Sequence, residues 1–552
     1  MKGRWLEVLW LLAWGAASSI WCVTAAERLG ATFDEPLYLR RGLERWRSGS
    51  YAGLMKLGTM PLPIDVETLP LYLWERIRGE AFDPIVDLPR LLPIARAANL
   101  VFWWLLLVYA WRLGAALGGR WAGLGAVALL ACEPTVLAHA SLATTDLSIT
   151  ACTLALVYHA RQGLAGGWRR RVGWPAFWWA ACLLAKASAL VFGPLCLLVV
   201  ELEQRGRRWV GAPLVGQPRS LKELAQVGAI GLVLVFAYCG TDWQPEPSFV
   251  DWARGLPESR AGRTLRWGAE NLRIFSNAGE GLIRQVRHNI RGHSYGTYLL
   301  GEAHPRSVWY YFPVALSMKL SPVLLLLPGV FLLLRPGALL NTAFMGACVL
   351  LAYSLNCRVQ IGVRLMLPLV ALAAVGLAAA AVAAAAGPPG RRRGVAALVS
   401  AGVLFSAASA WAVWPHGLCY VNPFWGGTAA GYRCLSDSNY DWGQGLKELA
   451  AWQARQGGRL EVWYFGTDPA IASDPFEHRP LHVRPWTTES DVQRELAGRR
   501  LAVSTTLLFG PPITPAHRLA ADFLRRQQPV ARTTTFWIYD LTREEAALPA
   551  QP

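Results

Sequence analysis

The sequence predicts a polytopic α-helical membrane protein that ends in a small α/β domain. Apolar runs recur from the N-terminus to about residue 415, and several approach the roughly 20 residues that a helix needs to cross a bilayer. Hydrophobic residues make up 53% of the 552 positions, and the 27 tryptophans fit this class because indole favours the membrane–water boundary. Beyond residue 415 the long apolar runs stop.

The first apolar run, residues 6–24, follows Lys2 and Arg4 and could be read as a secretory signal with a cleavage site near Ala25. Further apolar runs exclude that reading, because a cleaved signal would leave a soluble chain. These runs cover residues 91–109, 121–131, 142–158, 174–200, 227–238, 308–334, 339–353, 363–386 and 395–414.

The formal charge of +17 reflects membrane topology rather than nucleic-acid binding. The basic residues gather in short loops between apolar runs, where the positive-inside rule places them in the cytoplasm. The loops carry Arg112 and Arg120; Arg161 with Arg169, Arg170 and Arg171; Arg205, Arg207 and Arg208; and Arg391, Arg392 and Arg393. We therefore expect an integral protein of the cytoplasmic (inner) membrane whose surroundings are lipid.

Residues 174–200 decide the topology, because they lie between two basic loops. If both loops are cytoplasmic, this segment enters and returns as two short helices. The chain then crosses about eleven times, with its N-terminus inside and its C-terminal domain outside. A single long crossing would instead make the C-terminal region cytoplasmic and put Arg391–Arg393 outside, against the positive-inside rule. We favour the hairpin.

The hairpin topology gathers the unusual polar groups on the outer side. The expected outer loops span about residues 26–90, 132–146, 241–306 and 356–364, and the hairpin tip adds one cation. The groups are the acids Asp34, Glu35, Asp65, Glu67, Glu133 and Asp146 and the cations Lys186, Arg358 and Arg364. Moving a sugar from a lipid phosphate needs such a set: a carboxylate to take the acceptor's proton and cations for the departing phosphate.

An ordered series of motifs makes a family resemblance specific. The series consists of residues 32–36 (TFDEP), 133–139 (EPTVLAH), 142–146 (LATTD), 184–188 (LAKAS), 309–313 (WYYFP) ahead of Lys319, and 362–368 (GVRLMLP). In this order, over residues 1–415, the chain resembles the GT-C fold glycosyltransferases that use lipid-phosphate sugars, in particular the protein O-mannosyltransferase and aminoarabinose-transferase superfamily.

The resemblance implies an inverting, single-displacement transfer on the extracytoplasmic side. The donor would be a polyprenyl-phosphate sugar, a mannose-like hexose or an aminopentose, and the acceptor a hydroxyl on a protein, lipid or glycan. By position, Asp34 matches the general base, and Glu35 would orient that base or the sugar. Asp146 matches an acid near the donor or a divalent ion (Mg, Mn or Zn), which Asp34 would share if such an ion is used.

The donor phosphate is matched to Lys186 and Arg364, with Arg358 in the same turn as Arg364. The sequence departs from the family after Glu35: many relatives carry a His-Pro-Pro type element later in this loop, and here residues 61–65 read PLPID. The acceptor class is therefore left open.

Each site residue also has a structural alternative. Asp34 and Asp146 suit helix N-caps, Lys186 can snorkel to the interface, and Arg364 can serve topology. The histidines lack zinc-like spacing, so we interpret His139 as structural and His288, His293 and His304 as parts of a solvated loop. A transporter or lipid flippase, and a non-catalytic scaffold, are the alternative functions.

Residues 416–552 predict the α/β domain. Strand-like segments at 460–465, 501–509 and 535–541 alternate with helix-like segments at 445–455, 491–497 and 517–526. Asp437, Asn439 and Asp441 have the spacing that opens a calcium loop but lack its glycine and distal glutamate, so we interpret them as a turn with Asp441 as a helix N-cap. Whether Cys419 and Cys434 form a disulfide is left open.

Overall fold

A computed structural model describes residues 2–209, 213–273 and 276–542, and most of these are helical. The helices are α1 (Lys2–Arg28), α2 (Glu35–Ser48), α3 (Ala52–Met55), α4 (Pro61–Arg78), α5 (Leu88–Gly118), α6 (Arg120–Ala131), α7 (Pro134–Ala140), α8 (Thr145–Gly163), α9 (Trp174–Ala185), α10 (Ala189–Trp209), α11 (Leu221–Cys239), α12 (Pro247–Arg254), α13 (Arg260–Asn271), α14 (Ala278–Arg291), α15 (Tyr311–Lys319), α16 (Pro322–Leu334), α17 (Thr342–Ser354), α18 (Leu367–Ala385), α19 (Pro389–Val413), α20 (Leu446–Gln456), α21 (Glu489–Leu496), α22 (Thr505–Phe509) and α23 (Pro515–Arg526). The strands are β1 (Thr297–Leu299), β2 (Glu302–His304), β3 (Leu460–Trp463), β4 (Phe476–His478), β5 (Arg500–Ser504), β6 (Ala531–Arg532) and β7 (Phe536–Asp540).

Apolar helices make this an integral membrane protein. In the described residues, 5 helical spans are long and apolar enough to cross a bilayer: α1, α5, α11, α18 with the turn before it, and α19. Two bent pairs, α6 with α7 (70°) and α15 with α16 (109°), raise the number to 7 if each pair is one span. The expected eleven crossings are not confirmed, because several apolar helices, such as the 12-residue α9, are too short to count.

Hydrogen bonds from Ser321 to Glu133 link the two bends. Each second helix begins with a proline, Pro134 or Pro322, in the first turn, where the missing N–H costs nothing. The carboxylate of Glu133 accepts hydrogen bonds from the backbone N–H of Ser321 (3.1 Å) and from its hydroxyl (2.5 Å). The Glu133 carboxylate therefore satisfies both donors of Ser321, the N-cap residue of α16, although the two residues lie far apart in sequence.

Residues 174–200 form two helices, as the hairpin interpretation requires. Helix α9 ends at Ala185, α10 begins at Ala189, and Lys186 is extended between them. Arg364 forms an ion pair with Asp34, so the loops at 26–90 and 356–364 lie at the same end of the bundle. A single crossing at 174–200 would separate these loops, and that alternative is wrong. The side of the membrane on which this end lies stays a prediction.

The core of the bundle is built around α18. This helix packs against α5, α6, α8 and α17, and 83% of its apolar window is buried. Its alanine-rich sequence permits that close packing. At Gly376 a Cβ atom would lie 2.4 Å from the backbone nitrogen of Phe344, so a side chain there would push α17 away.

Residues 241–306, predicted to form an outer loop, contain the amphipathic helices α12, α13 and α14 and the antiparallel hairpin β1–β2. Acids neutralise part of its arginine series through the ion pairs Arg254–Glu270, Arg266–Glu258 and Arg284–Glu280. Placement of these helices along the membrane surface stays a prediction. Residues 274 and 275, inside this segment, lie outside the described residues.

The C-terminal region, residues 416–542, contains a mixed sheet in the order β4-β3-β5-β7-β6. Strand β3 is parallel to β4 and β5, and β7 is antiparallel to β5 and β6. The three predicted helices appear as α20, α21 and α23, and the three predicted strands as β3, β5 and β7. The strand expected over 501–509 ends at Ser504, where α22 begins, and the short edge strands β4 and β6 were not predicted. Residues 543–552 of the predicted domain lie outside the described residues.

Asp441 is not the predicted N-cap of the following helix. Helix α20 has Gly445 at that position. The Asp441 carboxylate instead accepts hydrogen bonds from the backbone N–H groups of Gly443 (3.2 Å) and Thr506 (3.1 Å), the latter in the first turn of α22. Burial raises the pKa of Asp441 to about 7. The side chain therefore joins two distant parts of the C-terminal region.

Both cysteines of the C-terminal region are free. The Cys419 thiol donates to the carbonyl of Tyr440 (3.0 Å), and Cys434 is partly exposed. The disulfide that the sequence left open is therefore not formed in this structure.

The C-terminal region is hydrogen-bonded to the loop that precedes α2. The backbone N–H groups of Gly30 and Phe33 donate to the carbonyls of Gln444 (2.8 Å) and Trp442 (2.9 Å), and the Thr467 hydroxyl donates to the Phe33 carbonyl (2.6 Å). These contacts bracket residues 30–33, directly before Asp34. The C-terminal region thus fixes the position of the loop that carries the predicted base.

Lys319 provides a second attachment, from within the bundle. Its buried ammonium group donates to the carbonyls of Leu418 (2.7 Å), Tyr420 (2.7 Å) and Asn439 (2.8 Å). These three hydrogen bonds use the full donor capacity of the lysine.

We expect Lys319→Met to destabilise the protein strongly, because it leaves three buried carbonyls without a donor, each costing about 1–3 kcal/mol. The measurement is the midpoint of thermal unfolding, followed by tryptophan fluorescence in detergent. Lys447→Met is the matched control, since the exposed Lys447 donates to one carbonyl, that of Glu27. Equal midpoints for the two variants would contradict this account of Lys319.

Candidate active site

Asp34 stands at the N-cap position of α2, but its carboxylate makes no capping hydrogen bond. Pro36, in the first turn, helps to start this helix without needing a hydrogen-bond acceptor. Oδ2 of Asp34 instead accepts from Nη1 of Arg364 at 2.9 Å, and 24% of the side chain is exposed. The capping alternative is therefore not observed, and the carboxylate faces the other predicted site residues.

Asp146 lies in the first turn of α8 and is completely buried. One carboxylate oxygen accepts from the ammonium group of Lys186, and the other, Oδ2, lies 3.6 Å from Nη1 of Arg364. Thr144, not Asp146, occupies the N-cap position. Lys186, with 21% of its side chain exposed, is held by Asp146 and does not simply snorkel away from the bundle.

Arg364 lies in a short turn directly before α18, with 8% of its side chain exposed. Its guanidinium group stacks 4.0 Å from the ring centre of Trp442, a residue of the C-terminal region. The turn begins at Gly362, with a φ of 153°, where a Cβ atom would lie 2.1 Å from the Ser438 hydroxyl. Glycine thus permits the close approach that places Arg364 beside Trp442.

The four predicted residues Asp34, Asp146, Lys186 and Arg364 therefore form one cluster, which we call the ion cluster. Its two acids and two cations come from four separate elements, and Nη1 of Arg364 contacts both acids. Asp34 is the partly exposed acid of the pair, whereas Asp146 is fully enclosed. This arrangement leaves one carboxylate available to a substrate and holds two cations beside it.

A metal ion shared by Asp34 and Asp146 does not fit this arrangement. Both carboxylates already contact a cation, because Nη1 of Arg364 lies near each of them. Within the described residues, no group of three or more His, Cys, Asp or Glu side chains is placed to hold a metal ion.

Glu35 lies beside the ion cluster but faces away from it. Its buried carboxylate accepts two hydrogen bonds from Arg96 (2.8 and 2.7 Å) and others from the backbone N–H groups of Thr32 and Ala143 (2.8 Å each). Arg96 also donates to the carbonyls of Ala26 and Gly30. Both carboxylate oxygens of Glu35 already accept hydrogen bonds from the protein. This favours its predicted role in orienting Asp34 over direct contact with a sugar.

Glu67, on α4, is a further buried acid near the ion cluster. Within the described residues, neither of its carboxylate oxygens has a hydrogen-bond partner. Burial, and then the nearby charges of Glu35 and Asp146, raise the pKa of Glu67 well above its usual value. Loss of the Glu67 proton is therefore less favourable than for an exposed glutamate.

Asp437 brings another carboxylate to the same region from the C-terminal side. It lines a cleft of about 60 Å³ with His293, Tyr298 and Tyr311, and burial raises its pKa to about 6. Its φ of 54° lies in the left-handed region, which is uncommon for a residue other than glycine. Such strain clusters at functional sites.

Arg358 does not join the ion cluster. Its guanidinium donates to the carbonyl of Ile290 at the end of α14 (2.7 Å). His139 is buried, and within the described residues its Nδ1 has no hydrogen-bond partner. His288 and His293 contact each other, with ring centres 6.3 Å apart, and His304 lies in β2.

Comparisons with known proteins bear on the fold. No protein-family model matches the sequence, and no curated protein matches it. The structure of ArnT from Cupriavidus metallidurans bound to undecaprenyl phosphate is similar, with 13% identity and a TM-score of 0.48 over 96% of this chain and 97% of that one. The arabinofuranosyltransferase AftD from Mycobacteria has 14% identity and a TM-score of 0.37 over 90% of this chain and 35% of that one.

The archaeal oligosaccharyltransferase AglB from Archaeoglobus fulgidus, in complex with an inhibitory peptide and a dolichol-phosphate, has 10% identity and a TM-score of 0.50. The match covers 97% of this chain and 75% of AglB. The chain has the GT-C fold. At this level of identity the match shows the fold alone.

Three residues that help to build the site in this GT-C protein were not assigned from the sequence. They are Arg96, Trp442 and Asp437. Arg96 had a signal, since it is a charged residue inside the apolar run 91–109, where charge is costly without a partner. Asp437 was singled out only for a calcium-like spacing, and Trp442 is one of 27 tryptophans with nothing local to distinguish it.

We expect Glu35→Gln to lower stability by about 3–5 kcal/mol, because it leaves the buried Arg96 charge without its partner. Asp34→Asn should cost much less, since Asp34 is partly exposed and makes one ion pair. Thermal unfolding in detergent compares the two variants. A Glu35→Gln midpoint equal to that of wild type would contradict the anchoring role of this pair.

Proposed function

We propose that this protein is a membrane glycosyltransferase that moves a sugar from a polyprenyl-phosphate donor to a hydroxyl acceptor. The observation that carries this is the ion cluster: a partly exposed carboxylate, Asp34, beside two cations that a buried carboxylate, Asp146, holds in place. Acceptor activation and leaving-group stabilisation need these two kinds of group side by side.

The reaction follows from the positions of the charges. Asp34 takes the proton of the acceptor hydroxyl as that oxygen bonds to the anomeric carbon of the sugar. The bond from that carbon to the phosphate oxygen breaks, and the polyprenyl phosphate leaves with the bonding electrons. Lys186 and Arg364 stabilise the negative charge that develops on the phosphate. A single displacement of this kind inverts the configuration at the anomeric carbon.

The surroundings of the ion cluster suit a lipid-linked donor. The apolar helices α8, α9 and α18 begin or end next to residues of the cluster and would accommodate a polyprenyl chain. The Glu35–Arg96 pair and the C-terminal region fix the loop that carries Asp34. The ligand named with the fold match AglB, a dolichol-phosphate, belongs to the same chemical class as the donor proposed here.

In keeping with the motif series, the proposed sugar is a mannose-like hexose or an aminopentose, and the acceptor hydroxyl belongs to a protein, lipid or glycan. The ion cluster would face the extracytoplasmic side of the inner membrane, together with the C-terminal region. Lys186 and Arg364 supply the charge that binds the phosphate.

We expect Asp34→Asn to lower sugar transfer at least ~100-fold, because an amide cannot accept the acceptor's proton. The assay incubates membranes containing the protein with a panel of labelled polyprenyl-phosphate sugars and an acceptor extract. Expression and thermal stability are matched across variants beforehand, so that a loss of transfer reports on chemistry.

Asp83→Asn is the control for this assay, since Asp83 lies in the same loop but its carboxylate accepts from the backbone N–H groups of Ile85 and Val86 in its own turn. It should transfer at the wild-type rate. Wild-type transfer that survives Asp34→Asn would remove Asp34 as the base. Transfer by no form of the protein, with donors and acceptors shown to be competent, would favour the transporter or scaffold alternatives.

A further inference from the structure

A large apolar groove lies at the end of the bundle opposite the ion cluster. It has a volume of about 1000 Å³ and runs between α1 and α6 on one side and α18 and α19 on the other. Its walls include Trp10, Leu124, Ala381 and Val403. We call this cavity the distal groove.

Chain direction places the distal groove in the other membrane leaflet. The groove uses the first half of α1, up to Trp14, whereas α1 ends at Arg28, close to the loop that carries Asp34. It uses the last part of α18, from Ala378 onward, whereas Arg364 precedes the start of that helix. The groove and the ion cluster therefore do not share a ligand.

The length of the distal groove matches one leaflet. Along α19 its lining residues extend from Arg392 to Leu404, which corresponds to ~18 Å of helix at about 1.5 Å per residue. Half of the hydrocarbon core of a bilayer is ~15 Å thick. A lipid chain that begins at the membrane surface would therefore fill the groove along its length.

Positive charge lies at one end of the distal groove. Arg120, at the start of α6, and Arg392, near the start of α19, both line it. Within the described residues, no ion pair holds the Arg392 guanidinium. Arg120 has one acidic neighbour, Glu7, whose Oε1 lies 3.5 Å from its Nε.

Glu7 does not cancel this charge. Its other oxygen accepts from the indole N–H of Trp111 (3.1 Å). Its single negative charge also leaves an excess of positive charge, because two arginines line the groove. The surface end of the groove is thus net positive, where the head group of a lipid in that leaflet would lie. Phosphate is the group that arginine binds best in such a position.

We propose that the distal groove binds an anionic glycerophospholipid of the leaflet facing away from the ion cluster. The lipid phosphate contacts Arg120 and Arg392, and its acyl chains lie against the alanine-rich faces of α18 and α19. The lipid fills the space between α1 and α19 and joins these outer helices to the buried α18.

The test uses the full chain in a neutral detergent and native mass spectrometry to count retained lipids. Phosphatidylglycerol and phosphatidylcholine with identical acyl chains are supplied together. We expect wild type to retain phosphatidylglycerol preferentially, and each of Arg120→Gln and Arg392→Gln to weaken its retention about fivefold. Arg393→Gln, an exposed neighbour that does not line the groove, should behave as wild type.

A second variant tests the groove itself. Ala396→Phe places a ring in the space meant for the acyl chains and should reduce retention of phosphatidylglycerol while both arginines remain. Equal retention of the two lipids by wild type would overturn the proposal, as would an Arg393→Gln loss as large as that of Arg392→Gln. Displacement of phosphatidylglycerol by polyprenyl phosphate would also overturn it, because the groove would then belong to the carrier lipid.

Discussion

The contact of one guanidinium with two carboxylates is the constraint on which the rest of the site depends. Nη1 of Arg364 lies 2.9 Å from Asp34 and 3.6 Å from Asp146. The positive charge of this guanidinium offsets the repulsion between the two carboxylates that it contacts. The contact joins the start of α2, the start of α8 and the turn before α18. It therefore helps to assemble the end of the bundle that carries the ion cluster.

Two further structures keep this contact in place. The buried Glu35–Arg96 pair anchors the residue next to Asp34, and the C-terminal region holds residues 30–33 through backbone hydrogen bonds. The same region stacks Trp442 on Arg364 and receives the ammonium group of Lys319. The C-terminal region, which looks like a separate domain in the sequence, thus forms part of the wall of the site. Its removal would release both the loop that carries Asp34 and the side chain of Arg364.

Local sequence patterns were sufficient to predict the main residues of the ion cluster. The motif series located Asp34, Asp146, Lys186 and Arg364, because each belongs to a short motif within or beside a recognisable apolar run. It also suggested Arg358, which lies in the same short turn but contacts α14 instead. Arg364, and not Arg358, turns towards the site because Gly362 packs closely against Ser438. That contact joins segments far apart in sequence. The crossing count is not confirmed for a related reason: short and bent helices depend on neighbouring helices for stability, and hydropathy does not report those neighbours.

Binding of sugar-free polyprenyl phosphate to the ion cluster tests the central claim most directly. Purified protein is titrated with the phosphate and, separately, with the uncharged polyprenol, and fluorescence of the protein's tryptophans, including Trp442, follows binding. We predict saturable binding of the phosphate, weak binding of the alcohol, and a Lys186→Gln variant that binds the phosphate at least about tenfold more weakly, as expected for the loss of one charge-assisted hydrogen bond. Equal binding of phosphate and alcohol, or a Lys186→Gln affinity unchanged from wild type, would contradict the assignment of these cations to a lipid phosphate.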